Sequence, residues 1–156
     1  MAGEAQTPEN QPYFNIALVY TKGVSLEIPN APQVFREAGE MTADANLEVT
    51  VKGLEENFHE VSVRGTVTAK RADKLVYLLE IDQAGVFEVR NLSDSDRAQA
   101  LGINGPAILA SYLRTRIQDT LHHAGMPPFL LPEMNWGAIF AEQQKAQANK
   151  GAAAND

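Results

Sequence analysis

The sequence predicts an α+β domain, a four-stranded antiparallel sheet with helices packed on one face. Three observations carry this expectation. In four segments between Phe14 and Val89 apolar residues alternate with polar ones, the period of two that belongs to half-buried strands. The connections between the second, third and fourth segments are short, which makes those neighbours antiparallel. Beyond Val89 the apolar residues recur every four positions, as on an amphipathic helix.

Met1 to Pro12 is rich in Glu, Gln, Asn and Pro, and Gln147 to Asp156 in Ala, Asn and Gly. Both read as disordered tails around a folded domain at 13–146. In the first strand Phe14, Ile16, Leu18, Tyr20, Val24, Leu26 and Ile28 share one parity, which places them on one face. Pro29, Asn30 and Pro32 end the strand, and Ala31 to Ala45, with Val34, Phe35 and Met41, has no steady period. This is a long crossover loop, and a connection of that length in a small domain is usually functional. Leu47, Val49 and Val51 mark the second strand, and Val61, Val63, Val67 and Ala69 the third. Arg71 to Lys74 turns the chain into a fourth strand carrying Leu75, Tyr77, Leu79 and Ile81. On its other parity Val76 and Leu78 precede Glu80 and Asp82, an apolar pair beside two carboxylates facing outward, which suits a docking surface.

Ser93 and Asp96 have capping-box-like spacing, so a short helix runs to Leu101 and Gly102 ends it in a left-handed cap. Gly105 and Pro106 reopen a helix whose Leu109, Leu113, Ile117 and Leu121 face the sheet. Its other face carries Ser111, Thr115, Gln118 and His122, uncharged polar groups where a solvated helix would carry Lys and Glu. Gly125, Pro127, Pro128 and Pro132 form a rigid linker holding Phe129, Leu130 and Leu131. Asn135 caps a last helix with Trp136, Ile139, Phe140 and Gln143, and the Trp136/Phe140 pair at i, i+4 fits either a core or a groove.

With 156 residues this is one domain, long enough to bury a core. Thirteen Lys plus Arg against 20 Asp plus Glu leave a net charge of −7, which repels phosphate backbones and anionic lipid, so nucleic acid is not expected as a partner. No apolar run approaches the ~18 residues of a spanning helix and the amino terminus is polar, so no membrane insertion and a cytoplasmic location are expected. Without cysteine there is no thiolate metal site, Cys nucleophile or disulfide. His122 and His123 point ~100° apart on a helix, so they do not chelate one metal, and no metal or cofactor is expected. Ser111, Asp119 and His122 lie on one helix without a strained elbow, which does not make a catalytic triad. Glu55 with Glu56 reads as a solvated loop pair. No glycine-rich phosphate loop is present.

The segment Tyr20-Thr21-Lys22-Gly23-Val24-Ser25-Leu26-Glu27-Ile28-Pro29-Asn30-Ala31-Pro32 resembles the SecB family of export chaperones. The likeness continues through Leu79-Glu80, Gly85-Val86-Phe87, Asn104 to Leu109, Tyr112, Arg114 and Phe129 to Phe140, and covers roughly Phe14 to Gln147. It implies a homotetramer, a dimer of dimers, that binds unfolded precursor proteins and delivers them to the motor protein SecA, without catalysis. It implies a client groove suiting Val34, Phe35, Phe129, Leu130, Met134, Trp136 and Phe140. It implies a contact between dimers through the long helix at Ser111, Tyr112, Thr115, Gln118 and His122. It implies SecA docking at Glu27, Leu78 and Glu80, with Asp82 contributing, through a small, basic, zinc-containing tail of SecA. Gly23 stands where the family often has an acid, and Gly39 where an aromatic is frequent. The competing expectations are a related chaperone serving a toxin–antitoxin client, and a small enzyme or ligand-binding domain. The near-continuous Val, Leu, Ile and Phe of the inward parities leave the latter little to position a substrate.

Overall fold

A computed structural model describes residues 9–154. Four strands, β1 (Tyr13–Glu27), β2 (Thr42–Gly53), β3 (Phe58–Arg71) and β4 (Lys74–Arg90), form one sheet in the order β1-β4-β3-β2 with every neighbouring pair antiparallel. The first strand therefore pairs with the last, and the chain must cross one end of the sheet to begin β2. A two-residue turn closes β3 onto β4, with Ala72 (φ 48°) and Asp73 (φ 64°) both left-handed, the backbone that the tightest hairpins require. The helices α1 (Asp94–Gln99), α2 (Gly105–His123) and α3 (Trp136–Ala153) follow, and a five-residue π turn at Ala100–Asn104 joins the first two.

The two inner strands alternate, with Ser62 and Ala84 buried as well on the other parity. Val61, Val63 and Val67 of β3 and Leu79, Ile81 and Phe87 of β4 are buried beneath α2, whose Leu109, Leu113, Ile117 and Leu121 complete the core. The helix lies close to the sheet over two glycines. A Cβ on Gly85 would stand 3.1 Å from Leu109, and one on Gly65 3.1 Å from Leu113. Ser93 caps α1 by accepting the Asp96 N–H at 3.1 Å, and Asn135 caps α3 by accepting the Ala138 N–H at 3.0 Å, both as the sequence leads one to expect.

The structure corrects five expectations. First, the even residues of β1 do not share a face. Bulges at Ala17 and Lys22 each add an unpaired residue to β1, so Phe14, Ile16, Val24 and Leu26 lie on the helix side while Leu18 and Tyr20 turn to the other. The second bulge is seated by Gln83, 1 % exposed among apolar neighbours, whose amide donates to the Tyr20 carbonyl at 3.0 Å and accepts from Thr21 Oγ1 at 2.9 Å. Second, Gly102 is not a left-handed cap, since among the described glycines only Gly39 and Gly125 have positive φ. It belongs to the π turn, and the Phe140 ring occupies the space that a Cβ would need. Third, Val76 is buried at an irregularity in the β3/β4 register and does not extend the outward apolar pair.

Fourth, the crossover from 28 to 41 is not structureless. It contains a 3-10 turn, Gln33–Phe35, and is tied to the hairpin by Arg71, which donates to the carbonyls of Val34 (2.9 Å) and Gly39 (3.2 Å). Asn30 donates to the Leu75 carbonyl at 3.0 Å, and Lys74 pairs with Glu37 at 2.7 Å. Fifth, α3 runs to Ala153, through most of the stretch expected as a carboxy-terminal tail, because its alanines continue a helix already started. Of the expected amino-terminal tail, residues 1–8 lie outside the described residues, and Asn91 holds the carbonyls of Glu9 and Gln11 at 2.9 Å each.

Candidate functional site

With the helices all on one side, the other face of the sheet is open. The β1/β4 register sets Glu27 opposite Leu78, Ser25 opposite Glu80 and Gly23 opposite Asp82. All four expected docking residues therefore meet at one end of the open face, because no bulge falls between Gly23 and Glu27. Glu27 and Glu80 are exposed and belong to no ion pair among the described residues. Leu78 and Asp82 are half-buried, and Asp82 Oδ2 lies 3.7 Å from Arg64 Nη2. A depression of ≈ 420 Å³ opens between Gly23, Ser25, Arg64, Glu80 and Asp82, and a Cβ on Gly23 would touch nothing within 4 Å. This end offers two uncompensated carboxylates around one apolar side chain, an arrangement that attracts cations and gives them a dry contact.

Beside it lies a cluster that parity reasoning missed. Tyr20 crosses over Ala84 of β4 to donate its hydroxyl to Glu60 of β3, and Lys22 Nζ donates to the same carboxylate at 2.8 Å. Burial, then the Glu60 bond, pushes the Tyr20 phenol up to about 12. Hydrogen bonds from Lys22 and Tyr20 hold the Glu60 carboxyl below its ordinary range, and Glu60 in turn raises the Lys22 ammonium. The bulges create the cluster, and the sequence signal for the second of them is Gly23 inside a strand.

The outer side of α2 exposes Ser111, Tyr112, Thr115, Gln118 and His122, all the residues expected at a contact between dimers. Ser111, Tyr112 and Thr115 line a shallow depression of ≈ 330 Å³ with Arg116.

The seven residues expected to line a client groove fall in separate places. Val34 is 2 % exposed and Trp136 8 %, so both support the core. Phe35 is exposed at the carboxy-terminal end of α2, its ring 3.9 Å from where a Cβ on Gly125 would sit. The segment after Gly125 runs back along α2, held by Arg114, which donates to the Leu131 carbonyl at 3.2 Å and pairs with Glu133 at 3.1 Å. It leaves Leu130 68 % exposed and Phe129 half-buried. Met134 and Trp136 line a cleft of ≈ 590 Å³ with Phe14, Ile103 and Ile108. Phe140 lines another, of ≈ 370 Å³, with Val49, Val51, His59 and Arg97. There burial, then the Arg97 charge, lowers the His59 imidazole, whose Nδ1 has no hydrogen-bond partner.

Among the described residues no group of three or more His, Cys, Asp or Glu is placed to hold a metal ion, and no helix is long and apolar enough to cross a membrane. The sequence profile of the family described as "Preprotein translocase subunit SecB" matches residues 7–147. The "Protein-export protein SecB" of Burkholderia vietnamiensis is 44% identical over 146 residues, 94% of this chain and 91% of the relative. That of Burkholderia multivorans is 43% identical over 151 residues, covering 94% of each chain. Among solved structures, a SecB-like chaperone of Mycobacterium tuberculosis in complex with a peptide from the HigA1 antitoxin superposes with a TM-score of 0.64 at 18% identity. The match covers 78% of this chain and 91% of that one, which is a likeness of fold. By the family profile and the identity to its curated relatives, this chain belongs to the SecB family.

Proposed function

We propose that the chain is a chaperone of protein export in the cytoplasm. It binds unfolded precursor proteins through apolar surface on the helix side of its sheet and docks to the motor protein SecA through the acidic end of the open face. The observation that supports this most is the register that gathers Glu27, Leu78, Glu80 and Asp82 on a face no helix covers. A docking site there can be occupied while the helix side still holds a client. The client contacts are the exposed Phe35 and Leu130 and the half-buried Phe129, Met134 and Phe140, while the buried Val34 and Trp136 support the core. Binding of this kind selects unfolded chains because a folded protein has already buried its apolar groups. It requires no catalytic step.

The same reading makes the chain a homotetramer, a dimer of dimers, with Ser111, Tyr112, Thr115, Gln118 and His122 of α2 between the dimers. These five polar or aromatic side chains are exposed in a row along the helix beside Arg116 and Asp119, a mixture that suits a polar interface. Export is favoured over an antitoxin client because the export relatives are 44% identical, whereas the antitoxin-bound chaperone, at 18%, shares the fold alone.

Light scattering behind a sizing column tests the proposal. The chain alone should elute at four times its 17.0 kDa. A slow-folding precursor diluted from denaturant should add its mass to the peak, and the same precursor after folding should not. Tyr112→Asp should halve the assembly to dimers without loss of helix content, since a charge placed in an interface is costly to desolvate. A monomeric wild type, or equal capture of folded and unfolded precursor, would overturn the reading.

A further inference from the structure

We infer that Arg64 sets the selectivity of the acidic end: its guanidinium screens the carboxylates beside it and confines a basic partner to Glu27 and Glu80. The inference rests on the docking reading and deepens it, from a patch that attracts cations to one that admits them only at certain positions.

Alternation carries the acidic end across all four strands. Ala43, Leu47 and Val49 of β2 pack against the core, so Asp44 and Glu48 face away from the helices, as Leu78, Glu80 and Asp82 do. The registers align Glu48, Arg64, Asp82 and Gly23 in one row across the sheet, and the rows of Glu80 and of Leu78 with Glu27 follow toward the β3–β4 hairpin. Through these three rows Arg64 is the single cation among the carboxylates of Glu27, Asp44, Glu48, Glu80 and Asp82. The neighbouring cations lie outside them. Lys70 is two residues beyond Thr68, which pairs with Leu78, and Lys22 sits in the bulge beside Gly23 with its ammonium 2.8 Å from Glu60.

Arg64 stands directly between Glu48 and Asp82. Its side chain is 57 % exposed, and its Nη2 lies 3.7 Å from Asp82 Oδ2, close enough for an ion pair and too long for a hydrogen bond. Asp82 Oδ1 is buried without a hydrogen-bond partner, which leaves to a ligand only Oδ2, the oxygen that Arg64 faces. Both residues border the depression over Gly23, so a cation entering it meets Arg64 as a like charge. Glu80 is diagonal to Arg64 across the β3/β4 pair, about 7 to 8 Å away, where a unit charge in water changes binding by about two- to threefold. Glu27 is two strands over and four residues along, on the order of 16 Å, well past the ~8 Å screening length at physiological salt. The carboxylates are thus graded: Glu27 acts in full, Glu80 is partly offset and Asp82 is cancelled. The partner that fits is a basic segment with its cations placed for Glu27 and Glu80 around an apolar contact on Leu78. A polycation without that placement loses the Arg64 row, so the arginine works as a repulsive element against wrong partners.

The test is calorimetric titration of the full chain with two probes, the basic tail of SecA and octalysine, which carries charge without placement. Arg64→Gln, on an exposed side chain, should leave the unfolding midpoint unchanged. At low salt it should raise octalysine affinity by roughly tenfold and tail affinity by no more than about threefold. Arg64→Lys keeps the charge and should hold both probes at wild-type affinity. Asp82→Asn should change tail affinity less than about twofold while Arg64 is present. In the Arg64→Gln background the same change should lower octalysine affinity by roughly threefold or more, so the two substitutions are not additive. Octalysine affinity of Arg64→Gln within twofold of wild type, or a loss of tail binding in Asp82→Asn as large as that in Glu80→Gln, overturns the role of Arg64. A wild type that does not bind the tail at low salt overturns the docking reading itself.

Discussion

Along β4, Leu79, Ile81 and Phe87 are sealed beneath α2, while Leu78, Glu80 and Asp82, one position away in each case, lie on a face that no helix covers. The same strand thus meets two environments, and they impose different rules. Under α2 the inner strands are closely packed, down to the two glycines that let Leu109 and Leu113 approach the sheet, so a change of volume there is poorly absorbed. On the open face side chains meet water and each other, and substitution is free unless a partner binds. The contrast teaches where the molecule keeps its stability and where it keeps its recognition.

Substitutions on each face sharpen the contrast. The largest effect is expected from Leu113→Ala, which empties the contact over Gly65 and should lower unfolding free energy by about 2 to 5 kcal/mol in denaturant titration. The open-face change Glu80→Lys should stay within ~0.5 kcal/mol of wild type in the same titration. If the two cost the same, the division between faces is wrong. Next, Gln83→Leu deletes both bonds that seat the second β1 bulge and should cost about 1 to 3 kcal/mol, because the Tyr20 carbonyl loses its partner. Glu80→Lys should in turn lower affinity for the basic tail of SecA by on the order of 1 to 3 kcal/mol, more at low salt. Gly23→Asp, with open space around its Cβ, should raise that affinity, and calorimetric titration reads both changes.

The smallest effect is a pH dependence. Tyr20 holds its proton more tightly when folded, with a pKa of about 12 against an ordinary 10.0. Its stabilisation is complete below pH 10 and is lost as pH rises toward 12. Glu60 has the opposite sign. Its folded pKa is depressed below 4.5, so its contribution is present above that pH and fades as pH falls through the folded value. Tyr20→Phe should flatten the alkaline limb of the stability profile, and an unchanged limb would remove the Tyr20–Glu60 bond from the account.

How much of this was legible in the sequence follows from how local each cause is. The inner strands except at Val76, the α2 stripe from Leu109 to Leu121 and the caps at Ser93 and Asn135 depend on spacing over a few residues, and they stand where spacing puts them. The acidic end was legible for the same reason, since Glu27 and Glu80 lie in stretches of regular pairing. In β1 a slip of one residue reverses every side chain, so two bulges were enough to misplace Leu18 and Tyr20 and to hide the Tyr20–Glu60–Lys22 cluster. Gly102 was misread as a cap because its reason is distant, a Phe140 ring 38 residues on. The residues expected at a groove share an apolar type, but sequence could not tell that Val34 and Trp136 sink into the core while Leu130 stays out.

The separation of the two faces is tested most directly by one calorimetric experiment on Glu80→Lys, titrated first with the basic tail of SecA and then with an unfolded precursor. Affinity for the tail should fall at least about fivefold and further at low salt, while affinity for the precursor stays within twofold of wild type. Parallel loss of both ligands, or retention of the tail, would contradict it.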